Sequence, residues 1–77
     1  MTSAQRDVLA LLSSTPVNAT YIGRALWGSP SARLAAGRVL RYLERLGFAA
    51  EILTDGEWVI TDQGRRALER YDNAHTR

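Results

Sequence analysis

The chain has 77 residues, 45% hydrophobic and 23% charged, which is the composition of one small globular domain and excludes a disordered segment. It has no cysteine, which excludes a disulfide framework, a cysteine-based zinc site and a cysteine nucleophile, and its one histidine, His75, lies in the tail, where no histidine-based triad is recognisable. Net charge is only +2, yet five arginines against Glu44 alone give +4 over residues 24–45, while Glu51, Asp55, Glu57 and Asp62 give −4 over residues 46–62. Such segregation points to a polyanion-facing surface beside an acidic one.

The first helix starts at Thr2-Ser3-Ala4-Gln5, where Thr and Gln three residues apart form a capping box. Val8, Leu9 and Leu12 follow on one helical face, and "SSTP" ends the helix because the residue before Pro16 is pushed out of helical geometry. No apolar run approaches the roughly 20 residues that span a bilayer. The opening stretch "MTSAQRDVLALL" lacks the basic start of a signal peptide, so a cytoplasmic location is expected.

Asn18 suits the N-cap of a second, short helix, with Ile22, Ala25 and Leu26 inward and Gly28 at its left-handed end. The third helix is expected over residues 31–46, entered through Ser29-Pro30-Ser31, with Ala36, Val39, Leu40, Leu43 and Leu46 at one phase. Gly47-Phe48 reads as a Schellman ending, Phe48 folding back near Leu43. In "AAEILTDGEWVIT", Asp55-Gly56 predicts a hairpin with a two-residue loop, pairing Leu53 with Trp58 and Ile52 with Val59. Thr61 or Asp62 then caps a last helix whose Ala67, Leu68 and Tyr71 share a face, and residues 72–77 are expected to fray. Trp27 and Trp58 are assigned to the core or its edge, because so small a domain needs their area.

This order, carried by "NATYIGRALWG", "AGRVLRYLERLGF" and "EWVITDQGRRAL", resembles the winged helix-turn-helix domain of bacterial transcription regulators of the MarR and PadR type. The resemblance covers nearly the whole chain. It implies an α+β fold of three helices, a β-hairpin wing and a C-terminal helix, in a single domain over residues 1–77. It also implies binding to double-stranded DNA by a small bacterial or phage regulator, with helix 31–46 in the major groove. The wing departs from the family pattern: its tip reads Thr54-Asp55-Gly56-Glu57 where a basic residue often meets phosphate.

Helical geometry selects the candidates. At about 100° per residue, Ser31, Leu34, Arg38, Arg41 and Arg45 fall within roughly 50° of the direction opposite the apolar stripe. In helix-turn-helix docking the front of the second helix meets base edges, so Ser31, Leu34 and Arg38 are the base-reading candidates. Arg41 and Arg45, further along, are expected on phosphates, with Arg33 on the flank. Thr20 and Arg24 on the second helix are further phosphate candidates. The competing reading of these arginines is a solvated helix face. The alternative function is a protein-interaction module docking through an acidic hairpin with apolar residues on both faces, Leu53, Trp58 and Ile60 against Ile52 and Val59. A homodimer through the wing or the C-terminal helix is also open. No enzyme activity, cofactor, metal or membrane partner is expected.

Overall fold

The computed structural model describes residues 1–75. The chain enters α1 (Ser3–Ser14) through the capping box: Gln5 N–H donates to Thr2 Oγ1 at 3.2 Å, and Thr2 N–H donates to Gln5 Oε1 at 2.9 Å. Val8, Leu9 and Leu12 are buried, and Thr15 is fully extended ahead of Pro16, which stops the helix. The extended backbone continues into a two-residue strand, β1 (Val17–Asn18), which periodicity does not reveal. Asn18 also caps α2 (Ala19–Trp27), its Oδ1 accepting from Tyr21 N–H at 2.7 Å.

Gly28, with φ of 74°, closes α2. Of the expected inward stripe only Ile22 is buried; Ala25 and Leu26 are exposed, and Trp27 is 40% exposed. The burying contact comes instead from Gly23. A Cβ there would lie 2.9 Å from both Ala32 C and Arg33 N, so the bare glycine lets α2 cross close to the start of the next helix. That helix begins later than expected: Pro30–Ala32 forms a 3-10 turn, and α3 runs Arg33–Arg45. Ala36, Leu40 and Leu43 are fully buried as the stripe requires, while Leu46 is 38% exposed.

The end of α3 is a Schellman motif. Gly47 has φ of 80°, its N–H donates to Glu44 O at 3.0 Å, and Phe48 N–H donates to Leu43 O at 2.9 Å. Two strands follow, β2 (Ala49–Ile52) and β3 (Glu57–Ile60), with β3 central in the order β1-β3-β2. All pairings are antiparallel; Val17 and Glu51 both face Trp58, and Ala49 faces Ile60.

The hairpin register corrects the expectation. Ile52 pairs with Glu57, leaving a four-residue loop, Leu53–Gly56, in place of a two-residue turn. A type I′ turn at Asp55-Gly56 needs positive φ at both residues, and only Gly56 has it, at 68°. Asp55 and Gly56 N–H instead both donate to Ile52 O, at 3.1 and 2.9 Å. The register slips by two, so each side chain keeps its face, but Leu53 leaves the sheet and is 84% exposed.

The last helix, α4 (Asp62–His75), is capped by Thr61, whose Oγ1 accepts from Gly64 N–H at 3.0 Å. Expected fraying from residue 72 is replaced by helix through His75. Asp72 accepts from Arg6 Nε at 2.9 Å and Nη2 at 3.2 Å, and the His75 ring stacks on Tyr71 at 4.0 Å. Residues 76 and 77 of the expected tail lie outside the described residues. One core unites α1, α2, α3 and the sheet, with Leu9, Ile22, Leu40 and Leu43 at its centre and Trp58 4% exposed. The architecture is a small α+β fold of four helices and a three-stranded antiparallel sheet.

Candidate functional site

With Ala36, Leu40 and Leu43 committed inward, the opposite side of α3 is forced outward. Arg33, Leu34, Gly37, Arg38, Arg41, Tyr42 and Arg45 line one shallow groove there. Five of the expected site residues therefore share a surface: Arg33, Leu34, Arg38, Arg41 and Arg45. Leu34 is 70% exposed, so it packs on nothing of consequence within the chain.

Ser31 is not part of this groove. It lies in the 3-10 turn before α3, its backbone N–H donating to Ser29 Oγ at 3.2 Å and its hydroxyl sharing a 2.7 Å hydrogen bond with Ser29 Oγ. Thr20 and Arg24 are exposed on α2, Thr20 in the first turn whose donor Tyr21 N–H is already taken by Asn18.

The arginines divide into two kinds. Among the described residues, Arg24, Arg33, Arg38 and Arg45 have no acid within ion-pair distance. Arg41 is engaged inside the chain: Nη1 lies 3.2 Å from Glu44 Oε1 and 3.1 Å from Glu51 Oε1, and the guanidinium sits 5.0 Å over the Trp58 ring. The Glu44 hydrogen bond and the Glu51 charge push the Arg41 pKa above its ordinary value. Two carboxylates thus offset its charge, and its geometry braces α3 on the hairpin. The helical wheel placed Arg41 outward correctly, but its partners on β2 and β3 are tertiary neighbours that no wheel can show.

Sequence reasoning passed over Gly37 and Tyr42. Tyr42 is 46% exposed beside Arg38 and Arg45 in the groove. The signal for Gly37 was present, since a glycine in the middle of a helix costs roughly 1 kcal/mol relative to alanine and asks for a reason.

The hairpin offers less free apolar surface than its sequence suggests. Val59 is half-buried and lines a cleft with Leu12, Pro16 and Arg65, so the ends of α1 and α4 reach over that face. Glu57 lies in β3 opposite Ile52, off the tip, which leaves Asp55 as the loop's acid. Among the described residues no group of three or more His, Asp or Glu side chains could hold a metal ion, and no helix is long and apolar enough to cross a membrane. A scan against protein-family models, a search of curated proteins and a search of solved structures each returned no match.

Proposed function

We propose that the protein binds double-stranded DNA as a small winged helix regulator, with α3 in the major groove and the β2–β3 hairpin as its wing. The observation that carries this reading is the outward face of α3, where Arg33, Arg38 and Arg45 stand without acidic partners among the described residues, around exposed Leu34. A helix of this diameter fits the major groove, and arginine is the commonest partner of guanine O6 and N7. Arg38 takes the base-reading role, while Arg45 and Arg33 meet phosphates. Arg41 is assigned to bracing the wing, because its charge is already met by Glu44 and Glu51.

The close α2–α3 crossing at Gly23 supports this assignment by fixing the direction in which α3 projects. The wing, with Asp55 exposed at its loop, contributes position and no phosphate contact. The test is a fluorescence anisotropy titration of a labelled mixed-sequence duplex at low salt, repeated at higher salt. Contact through several arginines predicts binding that weakens steeply as salt rises. Absence of binding at low salt, or binding indifferent to salt, would remove the DNA reading and leave the interaction-module alternative.

A further inference from the structure

The chain has six glycines, and five have a reason inside the fold. Gly28, Gly47 and Gly56 adopt left-handed backbone, with φ of 74°, 80° and 68°. Gly23 and Gly64 are crowded: a Cβ would press on the Ala32–Arg33 backbone at the first and collide with the Phe48 carbonyl at the second. Gly37 has neither reason. It lies inside α3 without positive φ, and a Cβ built on it would meet nothing within 4 Å. After proline, glycine is the least favourable residue in a helix interior, so the chain gives up helix stability here for no internal packing.

What the missing Cβ accommodates therefore lies outside the chain. Gly37 sits in the groove between Arg33, Leu34, Arg38 and Arg41, so the bare helix backbone and the exposed Leu34 side chain make an apolar floor inside a cationic rim. In a major groove the apolar knob that base edges present is the C5-methyl of thymine. We propose that the Gly37–Leu34 notch is a specificity-determining subsite that seats a thymine methyl, next to the base read by Arg38. This rests on the DNA reading above and adds to it a particular base chemistry and a particular residue.

The test uses a duplex enriched from a random pool by retention on the protein, synthesised once with thymine and once with deoxyuridine throughout. The two differ only in the C5-methyl groups. The wild type is expected to bind the thymine duplex about fourfold more tightly for each seated methyl. Gly37→Leu fills the notch with a good helix former. It should melt higher than the wild type, by on the order of 5 °C, yet bind the thymine duplex at least tenfold more weakly and no longer distinguish it from the deoxyuridine duplex. Equal wild-type affinity for the two duplexes, or unimpaired thymine-duplex binding by a folded Gly37→Leu variant, overturns the subsite while leaving DNA binding intact. A lower melting temperature for Gly37→Leu would also overturn it, by showing that the notch is needed inside the fold. Failure of the wild type to enrich any duplex is a different outcome, in which the DNA reading falls and the subsite falls with it.

Discussion

Two parts of α3 show how differently polar groups can be used. At its C-terminal end the carbonyls of Leu46, Gly47 and Phe48 accept in turn from Gln63 Nε2 at 3.1 Å, Thr61 Oγ1 at 2.6 Å and Thr61 N–H at 3.0 Å. The same Thr61 hydroxyl caps α4. This joint closes entirely within the chain, so "TDQG" is explained by folding and requires no ligand. Along its outward face the same helix carries Arg33, Arg38 and Arg45, which meet no acid among the described residues. Groups answered internally report on the fold; exposed arginines without an acidic neighbour report only a cationic, solvated surface, and DNA binding is proposed for that surface.

The largest effect is expected in the core. Leu43 is fully buried on the face of α3 that points away from Arg38. Leu43→Ala should cost about 2–5 kcal/mol, a large share of what a small domain has. Urea titration followed by circular dichroism measures this; a midpoint near that of the wild type would show that the two faces have been assigned wrongly.

A smaller effect is expected at the joint. A methyl group on Gly64 would run into the Phe48 carbonyl and crowd Ile60 Cγ1 at 2.9 Å, so α4 must move off the end of α3. Gly64→Ala should destabilise by about 1–3 kcal/mol, although the same change in an open helix position stabilises. Chemical denaturation reads the sign, and a stabilised Gly64→Ala protein would mean that the joint is loose.

The smallest effect belongs to the Arg6–Asp72 pair between α1 and α4. The hydrogen bond from Arg6 holds the Asp72 carboxyl below its ordinary pKa of 3.8. A carboxyl depressed in this way stabilises the fold above its unfolded pKa, and that stability is lost as pH falls through the folded value. Asp72→Asn should therefore be less stable than the wild type at neutral pH, with the gap closing as pH drops below about 3.8. Thermal melts of the two proteins across an acid pH series provide the check; a gap independent of pH would mean that charge plays no part.

What the sequence made legible was local. The capping box at Thr2, the Asn18 cap and the Schellman turn at Gly47 each involve residues within a turn or two of one another, and all are present. The phase of α3 was legible because Ala36, Leu40 and Leu43 repeat at helical spacing. What failed depended on distance or on competing chemistry. Asp55-Gly56 marked the turn but not its length, since Gly56 alone takes the left-handed conformation and Leu53 joins the loop. β1 is two residues long and has no period to detect. Trp27 was placed near the core by its size, but α2 ends there and exposes it. Arg41 was counted with the DNA-facing arginines although Glu44, three residues on, is within local reach, and Glu51 and Trp58 on the hairpin meet it only after folding.

The arginines of α3 that meet no acid among the described residues are proposed as the surface that holds DNA. The decisive test is an Arg38→Ala/Arg45→Ala double variant, titrated by anisotropy against the same labelled duplex as the wild type across a salt series. Neither side chain makes an ion pair among the described residues, so the melting temperature should stay within about 4 °C of the wild type, as surface substitutions usually do. Groove binding through Arg38 and Arg45 predicts at least a tenfold loss of affinity at low salt and a salt slope shallower by about 1, the share of one lost phosphate contact at Arg45. A folded double variant that binds the duplex with wild-type affinity and wild-type salt slope would contradict it.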